Sequence, residues 1–154
     1  MSTLLPLLIN DAFWSAVAAL GFAILFNVPR HSLIGCMLAG ASGHALRTLC
    51  MQLGLTLELG TLIGATAVGF MAVELGRRLH VPRLIFNASG VIPMVPGVLA
   101  YQTMLGLFDV VNATDPTAGS AALVFASVNA IKTGLILAAL AAGTIAPRLL
   151  FDRQ

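Results

Sequence analysis

The stretch from Leu84 to Phe108 limits this chain more than any other. It is apolar and long enough to cross a bilayer, for which about 20 residues suffice. Yet Pro93 and Pro96 stand in its middle, and Gly97 follows at once. Proline has no N–H, and its ring collides with the carbonyl four residues back. Pro93 therefore frees the carbonyl of Ser89, and Pro96 frees that of Ile92. Unbonded backbone at membrane depth is stable only where protein or a water-filled cavity covers it. The segment reads as a broken transmembrane helix whose second half begins near Pro96, a residue type favoured in the first helical turn. The open N–H groups of that turn, with the positive end of the helix dipole, would suit an anion. A simple proline kink without a ligand is the bland reading of the same residues.

Composition makes the rest of the chain a membrane protein too. Of 154 residues, 58% are hydrophobic and 9% are charged. Membrane-length apolar runs recur, which predicts a single all-α integral membrane domain over 1–154. Its five transmembrane helices cover about 8–26, 32–53, 56–75, 84–108 and 118–146, with the fourth broken near 93–97. Asn27 to His31, Gly54, Gly76 to Arg83 and the polar loop Asp109 to Thr117 separate them, and Pro147 is expected to stop the last.

Basic residues set the orientation. Arg30, the group Arg77, Arg78 and Arg83, and the pair Arg148 and Arg153 all fall on one side of such a chain. Asp11, Glu58, Asp109 and Asp115 fall on the other. The positive-inside bias then puts the N-terminus outside and the C-terminus in the cytoplasm. No Lys or Arg precedes the first apolar run, and Asn10 and Asp11 interrupt it, so it reads as a retained span and not as a signal peptide. Cys36 and Cys50 are about 21 Å apart along one helix, too far for a disulfide, and read as buried thiols. No basic patch suggests nucleic acid, no Cys/His spacing suggests a metal, and no cofactor is implied. No hydrolase or protease motif is present, and every acidic residue is placed at or near a span end, so the chain does not read as an enzyme.

Polar residues inside the spans are the candidate site. Small residues mark packing faces: Gly35, Ala39 and Gly43, then Gly60 and Gly64, then a run at every fourth residue from Ala122 to Ala146. Lys132, with Asn129 three residues before it, points away from that last ridge. A lysine facing lipid at the midplane costs about 2.5–3.5 kcal/mol, so a cavity or another chain should cover it. The bland reading is a snorkelling or neutral lysine. His44 and Arg47 share a face of the second span: Arg47 suits a carboxylate, and His44 is a candidate proton carrier. Alternatively Arg47 snorkels or pairs with Glu58. Glu74 is placed for a local ion pair with Arg77 or Arg78. Tyr101 shares a face with Gly97, within reach of a ligand resting there.

Several of these residues, taken in order, resemble the threonine/serine exporter family. They are Gly21-Phe22-Ala23, Phe26-Asn27-Val28-Pro29, Gly43-His44 with Arg47, and Val91-Ile92-Pro93-Met94-Val95-Pro96-Gly97. The likeness covers nearly the whole chain and is strongest to the small membrane subunit of the split, two-component type, associated with succinate export. It implies a larger membrane subunit as partner, a bacterial inner-membrane location and export driven by the proton motive force. It also implies opposite orientations of the two halves, as in inverted-repeat transporters. Lys132 is not part of that pattern. The expectation is a two-component exporter of small carboxylates, a dicarboxylate such as succinate or threonine/serine. Arg47, Pro93, Pro96, Gly97, Tyr101, Asn129 and Lys132 would meet the substrate, and His44 the proton. The alternatives are a structural subunit that transports nothing, and a self-sufficient homo-oligomeric transporter or channel.

Overall fold

The structure, a computed structural model, describes residues 4–151, and all regular elements among them are helical. Arg153 lies outside the described residues. The helices are α1 (Leu4–Leu25), α2 (Leu33–Gln52), α3 (Leu57–Leu79), α4 (Leu84–Val91), α5 (Gly97–Asn112) and α6 (Pro116–Phe151). Short 3₁₀ turns, Arg30–Ser32 and Ile92–Met94, precede α2 and follow α4. Four of the helices are long and apolar enough to cross a membrane, and α4 with α5 make a fifth crossing if taken together.

Two helices end in the same way. Asn27 (φ 56°) and His80 (φ 53°) turn left-handed. The next amides, Val28 and Val81, then bond back to the carbonyls of Ala23 and Gly76 at 3.0 and 3.2 Å. This closes the last helical turn on its own orphan carbonyls. The sequence spans 8–26 and 56–75 stop at charge and polarity, whereas the helices run over 4–25 and 57–79. Backbone bonding continues through Arg77 and Arg78 because long basic side chains can reach water from a helix end.

The chain forms two compact units, one of residues 1–95 and 139–154, the other of residues 96–138. In the first, α2 is the central helix, with α1, α3 and α4 packed on it. Glycine makes the approach close enough. A Cβ at Gly64 would stand 2.5 Å from the Gly43 carbonyl, and one at Gly43 would stand 2.4 Å from Val68 Cγ2. Gly35, Ala39, Gly43, Gly60 and Gly64 are all buried, as their spacing predicts. Cys36 joins Ala23, Ala72 and Phe86 in a core cluster where α1 ends and α4 begins, and both cysteines are free thiols.

The last helix departs from expectation twice. It does not stop at Pro147 but continues to Phe151. Pro147 is fully buried, and Gly69 makes room for its ring, with Cγ 2.9 Å from where a Cβ would be. The four-residue ridge also fails: Ala130, Gly134, Ala138 and Ala142 are exposed. Steps of four drift by about 40° each on a helix of 3.6 residues per turn, so six such steps cannot hold one face. The buried positions Ala126, Asn129, Ile136, Leu140, Gly143 and Pro147, with half-buried Thr133 between the second and third, follow alternating steps of three and four.

The second unit is a helical hairpin of α5 and the first part of α6. Gly106 packs against Ala126, whose Cβ would be 2.9 Å from a Cβ on the glycine. Asp115 caps α6 ahead of Pro116, accepting from the Thr117 and Ala118 amides, each at 2.8 Å, and from the Thr117 hydroxyl. The Thr117 hydroxyl, foremost, and the amide bonds hold the Asp115 carboxyl below its ordinary value.

Candidate functional site

Asp11 opens the site, and its position corrects the sequence reading. Expected at the outer end of the first span, it lies about two turns inside α1, because the helix begins at Leu4. His44 and Thr48 stand one turn apart on the facing side of α2. The Asp11 Oδ2 lies 2.7 Å from His44 Nδ1 and accepts from Thr48 Oγ1 at 2.6 Å. Both ionisable side chains are mostly withdrawn, at 18% exposure for His44 and 24% for Asp11. With a neutral imidazole, Nδ1–H donates to the carboxylate and Nε2 is left as the acceptor. The bond to the carboxylate keeps the imidazole ring oriented.

The first part of the break, through Val95, lies beside this group in the same unit. Helix α4 ends at Val91, and the 3₁₀ turn closes with the Val95 amide bonded to the Ile92 carbonyl at 3.0 Å. The freed carbonyl of Ile92 is thereby satisfied. Val95 is then extended (φ −62°, ψ 131°), Pro96 follows with ψ 57°, and α5 begins at Gly97. Pro96 is thus the residue ahead of the helix, not within its first turn. Met94 is buried against Gly43 and Gly64. Its carbonyl points to Arg47, whose Nη1 donates to it at 3.0 Å. Arg47 therefore turns into the protein toward the break, where snorkelling or a bond to Glu58 had been the alternatives. Its Nε is buried and has no hydrogen-bond partner.

The sequence profile described as "Threonine/Serine exporter, ThrE" matches residues 11–150. The chain belongs to the threonine/serine exporter family. An uncharacterized protein of Haemophilus influenzae is 33% identical over 147 residues, which is 96% of this chain and 48% of that protein. The chain thus spans about half the length of this curated relative. No solved structure matches. The matched family is one of exporters, not of enzymes.

The remaining expected residues of this chain lie in the second unit. Gly97 opens α5 with no atom within 4 Å of an added Cβ, and the first helical bond runs from the Ala100 amide to the Pro96 carbonyl at 3.1 Å. Tyr101 is 64% exposed. Asn129 and Lys132 separate: Asn129 is buried on the packed seam, while Lys132 is exposed. Three residues turn a helix by about 300°, enough to carry one side chain off the seam. Glu74 forms the local pair expected of it, with Arg78 Nε at 2.5 Å. Asp11 was the residue missed. An acid inside a membrane-length apolar run was the available signal.

Proposed function

We propose that the chain is one subunit of a two-component, proton-coupled exporter of small carboxylates in the bacterial inner membrane, with its N-terminus outside. One observation carries this reading. A guanidinium inside a membrane-length helix is tied to the carbonyl at a helix break and keeps a buried donor unspent. A charged group in that place is expensive and functional by default. A planar fork with donors to spare suits a carboxylate, which it can take bidentately. His44, one helical turn from Arg47 on α2, and its partner Asp11 on α1 supply the candidate proton site. Proton entry at His44 from outside and cargo release at the break would exchange one for the other. Exporter-family membership supports the direction. The relative of twice the length supports a second membrane subunit that supplies the other half.

The test is efflux of labelled succinate and labelled L-serine from cells carrying this chain with and without its larger partner. Arg47→Gln should abolish efflux at unchanged protein level. His44→Gln should uncouple it from the proton gradient. Efflux equal to wild type in both variants would reduce Arg47 to a brace for the break, and the chain to a structural subunit.

A further inference from the structure

A cavity of about 460 Å³ lies in the first unit, bounded by α3, α4 and the C-terminal part of α6. It is separate from the Asp11, His44 and Arg47 group. Its polar residues are Arg83, Asn87, Thr144 and Arg148, and no acidic residue lines it. We propose that this cavity is the loading vestibule of the exporter, a binding site for the carboxylate of the cargo before it reaches the break. The inference rests on the export reading above and adds a second, earlier site to it.

Placement is the first argument. Arg83, just ahead of α4, and Leu84, Asn87, Ala88 and Val91 of α4 line it along one face from end to end. That face is about 12 Å long. Its first residue carries a guanidinium. Its last, Val91, directly precedes the turn that holds the Met94 carbonyl. The cavity therefore leads from the arginine-bearing end of the unit toward the break. That end is the cytoplasmic one under the proposed orientation, the side from which an exporter must load.

Chemistry is the second argument. Two guanidiniums present only donors, and each has five, so one group can serve the protein and a ligand together. Asn87, one turn beyond Arg83, has its Oδ1 buried without a partner. Buried polar atoms are rarely left so without a reason. The side-chain amide also carries two N–H donors, which suit a carboxylate. The volume lies within the range of small-molecule sites and holds a four-carbon dicarboxylate or a hydroxy amino acid with water to spare. The far wall is apolar, at Val91, Ala88 and Ile145, so the anion is gripped only at the mouth.

Binding is measured on the full chain in phosphatidylcholine nanodiscs, with labelled succinate and labelled L-serine as probes. Arg148 is exposed near the end of α6, and the thermal unfolding curve of Arg148→Gln is recorded beside wild type so that binding is read only on folded protein. The substitution should raise Kd about tenfold, the loss of one charge-assisted pair. Arg83→Gln should do the same. A Kd within twofold of wild type in both variants overturns the vestibule, as does the absence of saturable binding by the wild-type chain. Phosphatidylglycerol is added in a parallel arm read by native mass spectrometry. Lipid retention that depends on Arg83 and Arg148, and that succinate does not displace, makes the cavity a headgroup cradle and also overturns the proposal. Arg47→Gln separates the two readings. If it abolishes efflux while the vestibule variants bind as wild type, the export reading stands and the vestibule falls. If the vestibule variants weaken binding while Arg47→Gln leaves efflux intact, the vestibule stands and the role given to the break falls.

Discussion

Asp11, His44 and Thr48 hold one another in place, so removing one member leaves the others poorly bonded within the protein. Loss of a partner from a buried hydrogen-bonded group costs about 1–3 kcal/mol. Asp11→Ala should therefore lower the unfolding temperature in detergent, and Asp11→Asn should do so by less, because the amide can still accept from Thr48. Equal unfolding temperatures for wild type and Asp11→Ala would contradict the bonding described. Asp115 allows a test of a different kind. Its carboxyl is held below the ordinary value, first by the Thr117 hydroxyl and then by the amides of Ala118 and Thr117. A depressed value means the cap is at full strength above about pH 3.9 and fades as pH falls through the lower folded value. Protection of the Thr117 and Ala118 amides, corrected for intrinsic exchange, should drop in that acidic window and stay flat in Asp115→Asn. The same drop in both proteins would refute the cap. Arg47 and His44 were legible as site candidates because ionisable groups in an apolar run stand out. The partner of each was not, since the contact with Met94 joins residues 47 positions apart and no local spacing encodes it.

At the scale of elements, packing and interruption come from different residues. Gly43 and Gly64 set how near α2 and α3 approach. Gly64→Val would drive a side chain into the Gly43 carbonyl, at 2.5 Å for the Cβ alone. Overpacking of this kind costs about 1–3 kcal/mol or more, and should appear as a lower unfolding temperature, with Gly134→Val unaffected because nothing lies within 4 Å there. An equal loss in both would contradict the packing described. The break depends on Pro93 and Pro96. Replacing both by alanine restores the amides that a continuous helix needs. The doubly substituted chain should stay folded and stop exporting; efflux at the wild-type rate would separate the break from transport. Glycine spacing on α2 and α3 revealed their contact because each run covers only one or two steps of four, too few for the drift to leave the face. The ridge on α6 misled for the opposite reason. Over so many turns the drift of a four-residue repeat exceeds any single face, and Pro147 is tolerated because Gly69 lies opposite.

On the scale of the molecule, the distribution of charge and the length of the relative point outward. Arg30, Arg77, Arg78 and Arg83 flank the ends of α1 and α3 and the starts of α2 and α4, which share one end of the first unit. Reporters fused at the two termini should place the N-terminus outside and the C-terminus in the cytoplasm; matching compartments would refute the five-crossing reading. Four membrane-length helices, or five if α4 and α5 count as one span, were legible in hydropathy, because helix length is dictated by the bilayer. Which polar groups meet inside depended on helix rotation, and hydropathy does not encode rotation. The central claim is that the chain at the break, around Met94 and Val95, is open to water and to an anion. Val95, at the break, is 47% exposed, while the native Cys36 and Cys50 are buried. Val95→Cys can therefore be labelled with a membrane-impermeant thiol reagent against a low background. The account predicts rapid labelling that succinate or L-serine slows in the wild-type background and no longer slows once Arg47 is changed to Gln. A cysteine at that position that stays unreactive, or reacts at one rate whatever carboxylate is present, would contradict it.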